Sequence, residues 1–299
     1  VSRCPELTGV DASALREGAA ILRACLDIGY RDGRSFVGLL GHSHLDTAWL
    51  WRREETLRKA ADTISNALCV AERHPNYKFM MSSAIYAEWM QEYYPDLYVR
   101  MREMIAKGQF EFNGSVYVEC DCNIIGGEAL IRQFLIGHRI YRELGVTCDA
   151  FWLPDTFGYS PSIPQIMKGC GVRYFLTSKL SWNDTNEFPY DSFVWKGIDG
   201  SEVLTHFITI HQWADPGTII KNSRNCVKRK NMTDATLMTY GFGDGGGGPS
   251  DEMADAACAC EEARGLPENR HVTVSQFMRR LEAESRAFPK YSGELYLEG

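Results

Sequence analysis

The stretch FVGLLGHSHLDTAWLW, residues 36–51, joins a short apolar run to metal-binding and aromatic side chains. FVGLL has the length of a buried β-strand, and His44 and Asp46 follow it directly. Because residues i and i+2 of an extended segment point the same way, these two side chains can face one ion. A second stretch, FWLPDTFGYS at 151–160, places Asp155 after another short strand. One imidazole and two carboxylates predict a mixed nitrogen and oxygen site suited to zinc or a similar divalent cation.

Strand-like and helix-like segments alternate along most of the chain. The first strand is followed by apolar residues at helical spacing, namely Leu57, Ala61, Ile64, Leu68 and Ala71. Strand-like runs recur at YKFMMS, QFEFNGSVYVE, AFWL and VRYFLTS, with helical patterns between them. This alternation predicts an α/β architecture with a mainly parallel sheet, either a barrel or a doubly wound sheet. Residues 1–34 are predicted to be a helical lead-in segment before a core domain at residues 35–299.

The composition restricts the class of protein. A chain of 299 residues, 44% hydrophobic and 24% charged, can form one barrel-sized globular domain or two smaller ones. The net charge of −7, without a dense Lys/Arg tract, argues against a nucleic-acid partner. No apolar run approaches the roughly 18–20 residues of a membrane span, so we expect no membrane partner. The first residue is Val and no signal-peptide pattern follows, which predicts a processed start or a piece of a longer chain.

The residues around His-x-Asp have two interpretations. Asp46 or Thr47 could instead cap a helix that begins near Ala48. Trp49 and Trp51 follow at once, and an exposed aromatic ring beside a metal site is a natural stacking face for a sugar. Helix packing is the alternative for both rings, and we favour it for Trp51.

The glycine-rich stretch YGFGDGGGGPSDEM, residues 240–253, contains a further carboxylate, Asp244. Four consecutive glycines let a backbone pass close to a ligand or adopt positive φ. It lacks the Gly-Lys-Ser/Thr of a phosphate loop, and the carboxylate would repel phosphate. A flexible turn before a helix that starts near Ser250 is the simpler explanation. We favour a binding-site loop that presents Asp244 to a cleft.

Several polar residues follow other predicted strands without a defined role. Glu119 and Asp121 could bind polar substrate groups or cap the next helix, and the sequence does not separate these roles. Asn183, in KLSWND, is a candidate substrate contact. His206 and His211 follow a strand, where a single histidine is more often structural than a ligand.

Taken together, these stretches resemble glycoside hydrolase family 38, the retaining α-mannosidases, and are most similar to its cytosolic type. The resemblance is carried by GHSHLDTAWLWRREET, ECDCNIIGGEALIRQFL, FWLPDTFGYSPSIPQIMKGCGVRYFLTSKLSWN, GFGDGGGGP and GELYLE, which occur in family order over residues 36–298. It implies a catalytic domain built as a seven-stranded α/β barrel, incomplete at the C-terminus. It also implies a cytoplasmic enzyme that hydrolyses terminal α-linked mannose from mannose-containing oligosaccharides.

The resemblance assigns roles to the site residues. His44 and Asp46 match the family's first two metal ligands, and the metal would be Zn²⁺ or another divalent cation such as Co²⁺. Asp155 matches the aspartate that both ligates the metal and attacks the anomeric carbon. Asp244 lies where the family places its acid/base carboxylate.

For substrate binding, Trp49 matches the tryptophan under the sugar ring and Phe157 matches a second aromatic beside it. The family's fourth metal ligand is a histidine two residues beyond the ELYLE segment, whereas this chain ends at Gly299. We therefore expect a truncated catalytic-domain fragment. A homo-oligomer is an expectation for the full-length protein alone.

Two alternatives belong to other functional classes. One is a mannose- or glycan-binding fragment without turnover. The other is a metal-dependent sugar deacetylase, which also uses His and Asp near barrel strands, although its paired-histidine metal motif is not evident in the sequence.

Overall fold

The computed structural model describes residues 35–228, 233–284 and 287–298. The predicted helical lead-in, residues 1–34, lies outside the described residues. The strands in chain order are β1 (Phe36–His42), β2 (Phe79–Met81), β3 (Phe110–Phe112), β4 (Ala150–Trp152), β5 (Gly158–Tyr159), β6 (Tyr174–Thr177), β7 (Ser192–Lys196), β8 (Glu202–Phe207), β9 (Thr209–Gln212), β10 (Ala235–Tyr240), β11 (Glu268–His271), β12 (Lys290–Ser292) and β13 (Leu295–Tyr296). The helices are α1 (Arg53–Arg73), α2 (Ala84–Tyr93), α3 (Pro95–Ala106), α4 (Gly127–Leu144), α5 (Ile163–Gly169), α6 (Pro216–Lys228), α7 (Asp251–Glu262) and α8 (Val274–Ala283).

The apolar run FVGLL forms most of β1, which is the central strand of a parallel sheet. Among the described residues this sheet has six strands in the order β3-β2-β1-β10-β9, with β11 also paired to β1. Every residue of β1 is buried. Burial on both faces is typical of a parallel sheet covered by helices, and it explains why the run is continuously apolar rather than alternating. The predicted α/β architecture with parallel sheets is therefore confirmed.

The second sheet has the order β12-β7-β8-β6-β4. Strands β4, β6 and β8 are parallel, whereas β7 and β8 form an antiparallel hairpin. The hairpin turns at Asp199 and Gly200, and Gly200 has a φ of 87°, a value that glycine adopts without strain. A third, two-stranded sheet pairs β13 with β5, so the ELYLE segment lies beside the loop that carries Asp155.

A closed seven-stranded barrel is not observed among the described residues, because the backbone pairing breaks between the two large sheets. The chain passes from the second sheet to the first at Ile208, between β8 and β9. On the other side, β3 and β4 are joined through a side chain instead of a ladder. The amide oxygen of Asn113 accepts hydrogen bonds from the backbone N–H groups of Asp149 and Ala150, both at 3.1 Å.

Both large sheets contribute to one common apolar core. Phe36, Leu40 and Leu237 from the first sheet pack in the same buried cluster as Trp152 and Leu176 from the second. The sheets therefore enclose a shared interior, although their strands do not close a continuous hydrogen-bonded ring.

A buried histidine connects the same two sheets. Nε2 of His206, on β8, accepts a hydrogen bond from the N–H of Leu237, on β10, at 3.1 Å. The other ring nitrogen, Nδ1, must then carry the proton, and it donates a hydrogen bond to Ser192 Oγ at 2.8 Å. The structural role that the sequence favoured for His206 agrees with this position.

The helices cover the sheets as the apolar spacing predicted. In α1, Ala61, Ile64 and Leu68 are buried in the core. Helix α4 ends at Gly145, which has a left-handed φ of 86° and donates its N–H to the carbonyl oxygens of the last turn. None of the described helices is long and apolar enough to cross a membrane.

Candidate active site

The carboxyl end of β1 and the loop after β4 bring three predicted ligands together. Candidate ligand atoms of His44, Asp46 and Asp155 all lie within 4.8 Å of one another. His44 is 4% exposed, while the two carboxylates are half-buried and border a cavity of about 250 Å³. The parallel strands decide this position because their carboxyl ends lie at one edge of the molecule.

The helix-capping explanation for Asp46 or Thr47 is wrong. Helix α1 begins at Arg53, with Arg52 as its N-cap residue and no side-chain capping bond. Asp46 contributes its backbone carbonyl instead, which accepts a hydrogen bond from the Thr56 hydroxyl at 3.1 Å. The Asp46 carboxylate is therefore free of a capping role and borders the cavity.

His44 is held between two carboxylates. Its Nε2 lies 2.8 Å from Glu119 Oε2, and its Nδ1 lies 3.1 Å from Asp244 Oδ1. Burial alone lowers the pKa of His44, but the hydrogen bonds with Asp244 and Glu119 outweigh it and raise the pKa to about 10. In the absence of a metal, this imidazole is accordingly a cation that both carboxylates stabilise.

Glu119, whose role the sequence left open, belongs to the site. Its Oε1 accepts hydrogen bonds from the N–H of Asp155 at 2.7 Å and from the Thr156 hydroxyl at 3.4 Å. One carboxylate therefore connects His44 to the loop of Asp155. The neighbouring Asp121 instead accepts hydrogen bonds from the backbone N–H groups of Asn123 and Ile124, so its carboxylate stabilises its own turn.

Lys179 is a site residue that the sequence argument did not identify. Its ammonium lies 2.5 Å from Asp155 Oδ1, although the lysine is only 3% exposed. The same ammonium lies over the rings of Phe157 and Trp182, at 4.5 Å and 4.2 Å from their centroids. The available signal in the sequence was its place directly after the predicted strand VRYFLTS.

Asp244 lies on the glycine-rich loop, where its carboxylate contacts His44. Its backbone has a φ of 54°, and the N–H of Gly246 donates to the His44 carbonyl at 3.2 Å. A Cβ at Gly246 would lie 2.7 Å from the Thr63 hydroxyl oxygen, so this close approach requires glycine. The hydrogen bond from His44 lowers the pKa of Asp244, while partial burial opposes that shift.

His211, for which the sequence favoured a structural role, lies beside the carboxylate of Asp244. Its Nε2 is 3.3 Å from Asp244 Oδ1, and burial lowers the pKa of the imidazole. Its φ of 57° is unusual for a residue other than glycine. The imidazole packs directly on Gly243, where any Cβ would overlap the ring.

The aromatic residues near the site differ in their exposure. Trp49 and Phe157 are 64% and 62% exposed, and the Phe157 ring borders the cavity, so both are accessible to a ligand. Trp51 donates its indole N–H to Thr56 and packs against the core, as expected for helix packing. The Asn183 amide oxygen accepts the N–H of Glu298 at 3.1 Å, and its substrate contact stays a prediction.

The donor set fits a zinc ion. One imidazole nitrogen and carboxylate oxygens are ligands that zinc accepts at catalytic sites. Binding requires His44 to lose its extra proton and release one of the two carboxylates that bond it, because metal-bound imidazole is neutral.

Comparisons with known proteins identify the family of this chain. The family model described as "Glycosyl hydrolases family 38 N-terminal domain" matches residues 35–294. The chain is 43% identical over 265 residues to Alpha-mannosidase 2C1 of Homo sapiens, covering 86% of this chain and 25% of that protein. It is 41% identical over 271 residues to Alpha-mannosidase G of Dictyostelium discoideum, covering 89% of this chain and 25% of the relative.

Among solved structures, an α-mannosidase from Enterococcus faecalis V583 superposes with a TM-score of 0.74 at 20% identity, covering 88% of this chain and 31% of that one. That level of identity supports the fold alone. The chain spans about a quarter of the length of the curated relatives that it matches. With the family model covering most of its residues, the chain belongs to glycosyl hydrolase family 38 through its N-terminal domain.

Proposed function

We propose that this chain carries the catalytic centre of a retaining α-mannosidase that hydrolyses terminal α-linked mannose from oligosaccharides. The observation that carries this proposal is the meeting of Asp155, Asp244 and His44 at one open edge, next to the exposed ring of Phe157. A retaining glycosidase needs two carboxyl groups, one as nucleophile and one as acid and base. The curated relatives that share this domain are named as α-mannosidases.

In this proposal Asp155 is the nucleophile. It attacks the anomeric carbon and forms a covalent glycosyl ester, which water then hydrolyses with overall retention. The Lys179 ammonium at 2.5 Å and the Glu119 carboxylate on the Asp155 N–H hold the loop in place.

Asp244 is proposed as the acid and base. It gives a proton to the leaving oxygen and later takes one from the attacking water. Its pKa is lowered mainly by the bond from His44. The charges of His211 and Lys179 lower this pKa further, so the carboxyl would hold the proton that it donates only when bound substrate changes these contacts.

His44, Asp46 and Asp155 are proposed to hold the metal, Zn²⁺ or Co²⁺. Such an ion supplies Lewis acidity and a grip on sugar hydroxyls that assists ring distortion. Trp49 and Phe157 offer apolar faces for the sugar ring, and Asn183 is a further proposed contact. The finer architecture is also a proposal: strands drawn from the two large sheets form an incompletely closed seven-stranded barrel. We further propose a cytoplasmic location, which the cytosolic-type resemblance implies.

Asp155→Asn tests the proposal directly. With equal amounts of protein and added zinc, mannose release from a chromogenic α-mannoside should fall by roughly three orders of magnitude or more. Asp96→Asn, at an exposed carboxylate in the first turn of α3, is the matched control and should leave the rate unchanged. Equal release by the Asp155→Asn variant would refute the nucleophile. Mannoside binding by the wild-type chain without any release would instead favour the glycan-binding alternative.

A further inference from the structure

We propose that Cys258, Glu261 and His271 form a second metal site that binds one zinc ion. Cys258 and Glu261 lie on one face of α7, three residues apart, and His271 is the last residue of β11. The sulfur, carboxylate and imidazole ligand atoms all lie within 4.8 Å of one another. None of these residues belongs to the cavity of His44.

The ligand types fit zinc better than an alkaline-earth cation. Zinc binds thiolate sulfur at about 2.3 Å and imidazole nitrogen at about 2.0–2.1 Å, and it also accepts carboxylate oxygen. Glu261 Oε1 lies 2.9 Å from His271 Nδ1, so this hydrogen bond would give way to two bonds to the ion. On binding, the Cys258 thiol becomes a thiolate and releases its proton to solvent.

The imidazole is already oriented for this role by a second partner. His271 Nε2 lies 2.6 Å from the hydroxyl of the buried Tyr240, which leaves Nδ1 facing Glu261. Metal-binding histidines are usually held in this way through the nitrogen that does not bind the ion. The carboxylate is supported as well, since the Asn76 amide donates to Glu261 Oε2 at 3.3 Å.

An open cleft adjoins the cluster. It has a volume of about 520 Å³ and is lined by Asn76, Glu261, Asn269 and His271, among others. Asn269 is 8% exposed, and within the described part of the chain its side-chain oxygen has no hydrogen-bond partner. A buried polar atom without a protein partner indicates a hydrated or ligand-bearing space. The cleft thus offers a path for the ion and space for a water at its fourth position.

The site would connect α7 to β11. His74, which follows α1, lies next to it, with Nδ1 3.9 Å from Cys258 Sγ. Both sides of the site are parts of the scaffold, and the three protein ligands leave one position of the ion open to the cleft. The His44 centre offers only nitrogen and oxygen ligands, which gives the two sites different spectroscopic signatures.

Cobalt titration of the purified chain distinguishes the two sites. Thiolate ligation gives Co²⁺ a near-ultraviolet charge-transfer band that the His44 site cannot produce. We expect the band in the wild-type chain and in Asp46→Asn, and its loss in Cys258→Ser. Cys170→Ser, at another half-buried cysteine, is the matched control and should keep the band. Circular dichroism checks that each variant is folded.

A second variant keeps the thiol and removes the carboxylate charge. Glu261→Gln should weaken cobalt binding at this band at least about tenfold, because a metal ligand is replaced by a poorer one. Zinc should displace the band stoichiometrically, with one equivalent bound in addition to any ion at the His44 site. Absence of the band in the wild-type chain, or an unchanged band in folded Cys258→Ser, would overturn the proposal.

Discussion

Acidification should destabilise this protein through His206, the buried imidazole that joins β8 to β10. Burial lowers its pKa to about 3, against an ordinary value of 6.5. Nε2 accepts the Leu237 N–H, so the folded protein needs the neutral ring. The unfolded chain takes up a proton below pH 6.5, whereas the folded chain does so only near pH 3. The stabilisation that neutral His206 gives to the folded protein is therefore complete above pH 6.5, and it is lost as the pH falls from 6.5 to 3.

The magnitude follows from the same two pKa values. Between pH 7 and pH 5 the free energy of unfolding should fall by about 2 kcal/mol through this one group, at about 1.4 kcal/mol per pKa unit. His42, buried on β1, has a pKa lowered to about 3 by burial and adds a similar loss. Urea unfolding at pH 7 and pH 5, with a chelator present to exclude metal effects, measures the net change, in which His44 offsets part of the loss because its pKa is raised.

The variant His206→Gln separates this contribution from the rest. At pH 7 it should be less stable by about 1–3 kcal/mol, because a buried donor or acceptor loses its partner. Its further loss between pH 7 and pH 5 should be about 2 kcal/mol smaller than in the wild type. His138→Gln, at a half-buried residue of α4, is the control and should keep most of the wild-type pH dependence. Equal losses in His206→Gln and the wild type would refute the reasoning.

Three further predictions concern the active site. With a chelator present, Glu119→Gln should lower the free energy of unfolding by about 1.5–3 kcal/mol at pH 7, because a charge-assisted bond to His44 is lost; an unchanged urea midpoint would contradict this. The Lys179→Met variant should be less stable by about 3 kcal/mol, because Asp155 is left without its partner in a buried ion pair. It should also lose most of its kcat on a chromogenic mannoside. The Lys179→Arg variant should recover part of the stability and part of the kcat. Equal kcat in the Met and Arg variants would show that the charge is irrelevant. Trp49→Ala should raise KM about two- to tenfold, equivalent to about 0.5–1.5 kcal/mol of aromatic contact, with stability changed by less than about 0.5 kcal/mol. Leu50→Ala, at an 82% exposed neighbour, is its control, and an equal rise in KM there would argue against stacking on Trp49.

The sequence predicted much of the scaffold because local patterns reflect local forces. The continuous apolar run at residues 36–40 predicted a buried strand, and the apolar spacing around Ile64 predicted the covering helix. Closure of the barrel could not be predicted in this way. It depends on whether β3 and β4 form a ladder, and there a side chain, Asn113, takes the place of backbone pairing.

The sequence predicted those residues of the candidate site that lie within a single local motif. His44 and Asp46 are two residues apart in sequence, and the loop of Asp155 has its own motif. By contrast, the role of Glu119 was left open and that of Lys179 was not identified. Both act through partners far away in sequence, and a carboxylate or a lysine after a strand has no local pattern that distinguishes it from a surface residue.

The sequence by itself determined the strand and helix order, the apolar faces, and the motifs that identify the family. Only the tertiary structure decided which side chains meet. Asp244 bonds to His44 across 200 residues of chain, and Glu119 bonds to it across 75. These contacts exist because parallel strands deliver distant residues to one edge, and the buried bonds then set the charge of the imidazole and the pKa of Asp244.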